Sequence, residues 1–309
     1  MSKIYEALEK AERERQRAVR KEPPPITEFQ QIEGPRQDIG IEPKRVRVPV
    51  SKELLVSYFQ PRSLGGEQIR KLRTYILRRH SPSAPRTIMV TSAMSEEGKT
   101  FVSANLAASI ASDLNTEALL VDCDLRTPSL SKWFDVPKSR GLSDYLGGNG
   151  TSYSEFVITT QLEKLRVLPA GTSGDNPTEL VGSKRMESLV RELRSHQEDR
   201  YIIFDSTPVL ATTEPEVLGR FVDGIILVVR AGFTPRETVQ QAVRSLESGK
   251  IIGVVLNEIT FRSPGLQSRY FGSAGYGYYE CGYGKKNRES EKNRERLFRW
   301  LPLWNREKQ

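Results

Sequence analysis

Apolar residues along the chain fall into two alternating rhythms. Short runs, TIMVTS at 87–92, EALLVD at 117–122, YIIFDS at 201–206, GIILVVR at 224–230 and KIIGVVLN at 250–257, have the length and branched content of strands buried on both faces. LRVLPAG at 165–171 adds a further strand. Between these runs the spacing turns helical. Val102, Leu106 and Ile110 recur every fourth residue, and MESLVRELRSHQ at 186–197 and RETVQQAVRSLES at 236–248 carry one apolar stripe each. Strands alternating with helices predict an α/β fold with a doubly wound, mostly parallel sheet, whose site residues gather at the C-terminal strand ends.

Ahead of this core the pattern is looser. A helix follows Gly65 and Gly66, with Ile69, Leu72 and Ile76 on one face and Glu67, Arg70 and Arg73 on a neighbouring polar face. Residues 2–21 also have helical spacing, with Ile4, Leu8 and Ala11 aligned, and fit a docking peptide better than a core helix. Pro23 to Pro61 shows no sustained period and reads as an extended linker or a strap over the body.

With 309 residues, 37% hydrophobic and 28% charged, the chain can form one sizeable α/β domain plus appendages. No apolar run approaches the roughly 18 residues of a membrane span, so a cytoplasmic location is expected. Two cysteines and two histidines support neither a disulfide framework nor a zinc site. The net charge of +8 raises the question of nucleic acid, but residues 285–309 alone hold 9 Lys+Arg against 4 Asp+Glu. Residues 51–284 hold 27 against 26, too balanced for a basic groove on the body, so no nucleic-acid partner is expected.

Chemistry concentrates after the strands. AMSEEGKT, from Ala93 to Thr100, follows the first strand and fits the phosphate-loop pattern GxxxxGK[ST], with Ala93 for the first glycine. Backbone N–H groups of Ala93, Met94, Ser95, Glu96, Glu97 and Gly98 would cradle phosphates at a helix N-terminus. Lys99 would reach the β and γ phosphates and Thr100 would bind Mg2+. Asp122 and Asp124 close the second strand, spaced to point the same way, and Asp205 closes YIIFDS as a Walker B acid does.

DCDLR at 122–126 resembles the second Walker motif of the bacterial protein-tyrosine kinases of capsule and exopolysaccharide synthesis. Glu67, Arg70 and Arg73 match that family's ExxRxxR oligomerisation motif. LPAGTSGDNPTELVGSKRM, IIGVVLNEI and a following tyrosine cluster are also similar, so the resemblance spans roughly residues 64–284. It implies a P-loop NTPase of MinD/ParA-like architecture using ATP and Mg2+. The chain then divides into an N-terminal helix (1–21), a Pro-rich linker (22–61), a kinase domain (62–262), a Gly/Tyr-rich autophosphorylation tail (263–284) and a basic aromatic extension (285–309). Lys99, Asp122, Asp124 and Asp205 become the catalytic set, with Thr100, Asp124 and Asp205 at the metal. Phe101 and Asn257 join the nucleotide site, although Asn257 equally suits a strand-end turn. The base and metal roles of Asp122 and Asp124 stay interchangeable. Implied partners are further copies in a ring, a separate transmembrane polysaccharide co-polymerase as activator, and a tyrosine phosphatase. Ser95 and Glu96, where many members have Pro and Gly, and Thr207 in DSTP depart from the family pattern.

The competing reading is a MinD/ParA-type ATPase switch. Its signature lysine would stand at Met94, an apolar residue that cannot neutralise a partner's phosphate. The tail also favours the kinase. Tyr270, Tyr276, Tyr278, Tyr279 and Tyr283 are five of the chain's eleven tyrosines, interleaved with glycines. For the extension, Phe298, Trp300, Leu301, Leu303 and Trp304 among basic residues suit contact with an anionic membrane surface, the alternative being packing on its own domain or a protein partner. The location implied is cytoplasmic, peripheral to the inner face of the cell membrane.

Overall fold

The computed structural model describes residues 53–259, apart from 78–84, 135, 137–139, 173–175 and 196–198, together with 299–302. Its strands are β1 (Thr87–Ser92), β2 (Glu117–Asp122), β3 (Ile158–Thr159), β4 (Leu165–Leu168), β5 (Arg200–Asp205), β6 (Gly224–Arg230), β7 (Ile251–Asn257) and β8 (Arg299–Pro302). They form one sheet in the order β3-β4-β2-β5-β1-β6-β7-β8. The inner pairings are parallel, and only the short edge strands β3 and β8 run antiparallel.

Alternate residues of each inner strand feed two separate cores. Ile88, Val90, Leu120, Ile203 and Val228 lie on one face, Met89, Val121, Phe204, Leu227 and Val229 on the other. Covering both faces is why these strands read as unbroken apolar runs. Helices α1 (Val56–Phe59), α2 (Leu64–Leu77) and α3 (Lys99–Ala111) serve the first face. Next come the short α4 (Leu130–Trp133), α5 (Leu142–Leu146) and α6 (Pro177–Val181). The other face carries α7 (Lys184–Ser195), α8 (Glu214–Phe221) and α9 (Arg236–Ser245).

Residues 53–61, read from sequence as linker, depart from that expectation. Leu55 is buried, and α1 is latched to α3 through Asn105, whose Nδ2 donates to Leu54 O (2.9 Å) and Phe101 O (2.9 Å). Asn105 Oδ1 accepts the Ser57 amide at 3.0 Å, so a polar side chain is buried with its groups satisfied. Prolines had masked a turn fixed by tertiary contact. Helix α2 starts at Leu64 and includes both glycines, and glycine is needed at 66, where a Cβ would stand 2.6 Å from Gln60 O.

The polar face of α2 is engaged within the chain. Arg70 donates to Glu67 Oε1 (2.8 Å) and to Pro61 O (3.0 Å). Arg73 Nη1 donates to Ser109 O at 2.9 Å, in the last turn of α3, where a cation meets unpaired carbonyls and the negative end of the helix dipole. The helix that begins at the phosphate loop is therefore tied to α2 at its far end.

Four residues of the C-terminal extension form β8, with Arg299 opposite Leu256 and Pro302 opposite Gly253. Antiparallel pairing brings the chain back to the end of the sheet where β7 stops. The intervening segment, which contains all five tail tyrosines and lies outside the described residues, thus leaves from and returns to the same end. The helix at 1–21 is likewise outside them. Deleting residues 299–309 should speed hydrogen exchange at the β7 amides that face β8 by about tenfold or more, read residue by residue. Unchanged protection would refute the pairing.

Candidate nucleotide and phosphoryl-transfer site

Strand β1 runs straight into the phosphate loop, and α3 opens at Lys99. Gly98, the helix N-cap, has φ 89°, and a Cβ there would sit 2.0 Å from Asn257 Nδ2, so only glycine fits. Asn257 in turn donates Nδ2 to Glu97 O at 2.8 Å, bracing the loop from the end of β7. Its Oδ1 is buried without a hydrogen-bond partner, an acceptor suited to an exocyclic amine. Asn257 is thus a strand-end brace with one acceptor left over.

Glu97 is buried and turns away from the cradle. Its carboxylate accepts the Met94 amide at 2.6 Å and the Arg230 amide at 3.3 Å, and Thr234 Oγ1 also donates to it. Glu96 adopts φ 64°, a left-handed conformation that costs a non-glycine residue. The departure from the family's glycine therefore falls on a strained position. Ala93 is buried, whereas Met94, Ser95 and Glu96 are exposed at the mouth.

Lys99 and three carboxylates converge at the strand ends. Lys99 Nζ lies 3.1 Å from Asp124 Oδ2. Asp122, Asp124 and Asp205 are all buried. Strand β2 stops at Asp122, so Asp124 faces the site through a turn in which its amide donates to Asp122 Oδ1 (3.1 Å), not through strand alternation. Asp122 Oδ2 accepts the Leu130 amide at 3.2 Å. Asp205 Oδ1 accepts from Ser103 Oγ at 3.0 Å, and its Oδ2 is buried with no partner.

Burial pushes the Asp205 carboxyl up to about 6, against the charge of Lys99 and hydrogen bonds from Thr100 and Ser103. Burial also drives Asp122 well above the usual carboxylate range, with the charges of Asp205 and Asp124 adding to it. Burial opposes the charge on Lys99, but Asp205, Asp124 and Asp122 together outweigh it and raise the ammonium's pKa. Cys123, between the two acids, is buried, and burial raises its thiol, which keeps it an inert core residue.

A cavity of about 530 Å³ opens beside Gly98, Lys99, Thr100, Phe101 and Asp124. Sequence reasoning had not assigned Thr127, Ser129, Trp133, Arg230 and Glu258, which also line it. Arg230 ends β6, so the strand-end rule could have found it. Trp133 meets Phe101 edge-on at 6.2 Å between centroids, an aromatic wall that only folding assembles. Arg126 points elsewhere, held by Glu214 Oε1 (2.9 Å) and Thr178 Oγ1 (3.2 Å).

Among the described residues no group of three or more His, Cys, Asp or Glu is placed to hold a metal unaided. The residues do fit a magnesium ion shared with phosphates, because Thr100 offers a hydroxyl and Asp205 a partnerless buried oxygen.

A GKT loop between β1 and α3, with Lys99 facing acids at neighbouring strand ends, defines a P-loop nucleotide-binding protein, although the Met94 amide expected to cradle phosphate donates to Glu97 instead. The family model of the CobQ/CobB/MinD/ParA nucleotide binding domain matches residues 88–268. Tyrosine-protein kinase YwqD of Bacillus subtilis (strain 168) is 33% identical over 205 residues, 66% of this chain and 85% of that protein. The crystal structure of the chimerical protein CapA2B2 superposes with a TM-score of 0.61 at 29% identity, covering 67% of this chain and 92% of that one. The kinase domain of Escherichia coli tyrosine kinase ETK gives 0.59 at 30% identity, covering 64% and 76%. The chain belongs to the bacterial protein-tyrosine kinases of the capsule and exopolysaccharide type.

Glu96→Gly should relieve the left-handed strain and stabilise the fold by about 1 kcal/mol, a Tm rise of about 2–4 °C by calorimetry. An unchanged or lower Tm would mean that the carboxylate side chain itself stabilises the loop.

Proposed function

We propose that this protein transfers the γ-phosphoryl group of ATP to tyrosine hydroxyls in the 263–284 tail of a neighbouring subunit. The observation that carries this is the convergence of Lys99 on Asp122, Asp124 and Asp205 beside the phosphate loop, in a tyrosine-kinase family member whose loop has Met94 at the ATPase signature position. Loop amides and Lys99 hold the β and γ phosphates. Thr100 and Asp205, with Asp124 beside them, would hold Mg2+, which would supply charge neutralisation on the transferred group. As the phenol oxygen bonds to phosphorus, the bond to the ADP oxygen breaks and the phenol proton passes to a carboxylate. Asp122 takes that role because two backbone amides fix both its oxygens and burial raises its basicity. Asn257 Oδ1 accepts from the adenine amine.

Assembly goes through the α2 face. Glu67 and Arg70 keep 30% and 42% of their side chains exposed, while Arg73 contributes by tying α2 to α3. Copies arranged as a ring would offer each tail to the next site. No helix among the described residues is long and apolar enough to cross a membrane. A separate transmembrane polysaccharide co-polymerase would serve as activator and a tyrosine phosphatase would reset the tail. The reaction would act at the inner membrane face to control exopolysaccharide or capsule synthesis, with the basic extension beside anionic lipid.

Incubation with ATP and Mg2+ should yield phosphotyrosine in the tail by mass spectrometry. Lys99→Met should lower it more than a hundredfold, the loss of about 3 kcal/mol of transition-state stabilisation. ATP hydrolysis without phosphotyrosine would favour the ATPase switch, and near-normal activity of Lys99→Met would overturn the site.

A further inference from the structure

We infer that Met94 and Phe233 form the surface on which the ring of the acceptor tyrosine lands, the tyrosine coming from residues 268–284 of a second copy of this chain. The inference rests on the phosphoryl-transfer reading above and names the part of the site that would select the acceptor.

Among the described residues only four large hydrophobic side chains are exposed: Tyr58, Met94, Leu114 and Phe233. Met94 belongs to the phosphate loop, and Phe233 precedes Thr234, whose hydroxyl donates to Glu97 of that loop. Met94 is the second residue of the loop, 37% exposed, and its backbone is fully engaged: Ser92 Oγ donates to its carbonyl at 2.6 Å, and its amide donates to Glu97 Oε2. What the residue presents outward is its thioether. Phe233, 47% exposed, lies in the loop after β6, beneath the Arg230 guanidinium at 4.9 Å from its ring centroid.

One buried carboxylate joins the two segments. Glu97 Oε1 accepts the Arg230 amide and the Thr234 hydroxyl while Oε2 holds Met94, so the loop bearing Phe233 is fixed to the loop that cradles phosphate. A fully buried acid at that point is explained by this brace and not by contact with the nucleotide.

The chemistry of the pair fits a phenol. A thioether and an aromatic edge both bind an aromatic ring well and are indifferent to the side chains of Ser or Thr, whose hydroxyls lack one. A ring seated there keeps its hydroxyl at the rim of the phosphate loop. The occupant is present in the same sequence: five tyrosines separated by glycines, so that one ring after another can enter with little obstruction from neighbours. Arg230, already paired with Glu258 at 2.7 Å, keeps the platform's outer side polar.

The test uses the full-length protein and a synthetic peptide of residues 268–284 as acceptor. Met94→Ser and Phe233→Ser should each raise the peptide KM by about tenfold, the effect of removing a partial apolar contact. In Phe233→Ser the affinity for a fluorescent ATP analogue should change less than about twofold, and Met94→Leu and Phe233→Leu should restore most of the peptide KM. Thermal melts of all four variants confirm that each is folded; both sites are exposed. A wild-type peptide KM in both serine variants, or a loss confined to kcat that the leucines do not rescue, overturns the inference. Absence of peptide phosphorylation by the wild-type protein would instead refute the kinase reading on which it rests.

Discussion

Three buried carboxylates face one lysine at the ends of β2 and β5, and the rest of the site follows from that imbalance. Negative charge in a dry pocket has to be neutralised, either by protons or by cations. In the protein alone the imbalance appears as Asp205 pushed up to about 6 and Asp122 raised well above the usual carboxylate range. In the proposed reaction a magnesium ion arriving with a nucleotide would remove the same imbalance without protonation. The site is therefore poised for a metal–nucleotide complex, and the unpaired Oδ2 of Asp205 is where that demand is most visible.

The surrounding structure holds this charged cluster in place. Helix α3 carries Lys99 at one end, is latched to α1 through Asn105, and is capped by Arg73 of α2 at the other. The same α2 bears the residues proposed for contact between subunits, so assembly and the lysine share one rigid path. On the opposite edge, β7 gives Asn257 to the loop and pairs with β8. β8 begins opposite Leu256, at the same strand end from which Asn257 reaches the phosphate loop.

Much of this was legible in the sequence, for physical reasons that differ by element. β1, β5, β6 and β7 were visible because burial on both faces demands unbroken apolar runs, and the phosphate loop because glycine and lysine are nearly obligatory at its turn. Asp122 and Asp205 were visible as acids at strand ends and Lys99 as part of the phosphate-loop motif, whereas the strand reading of Asp124 missed the turn that carries it. What failed to show was structure decided by distant partners. Residues 53–61 looked like linker because their order depends on Asn105, about fifty residues later. β8 carries no turn signal linking it to β7, since the partner strand is an edge already complete in itself. Glu97 read as a loop residue facing phosphate, whereas its carboxylate holds the segment after β6 inside the protein. Arg73 read as an outward charge and caps a helix.

We propose phosphoryl transfer between subunits at this site. Two chains test it together: one carrying Lys99→Met with its tail intact, the other with a native site and Phe at positions 270, 276, 278, 279 and 283. Mixed with ATP and Mg2+ and analysed by mass spectrometry, the Lys99→Met chain should gain phosphotyrosine in residues 268–284, while neither chain labels alone. Absence of label in the mixture, with phosphate release from ATP unchanged, would contradict it.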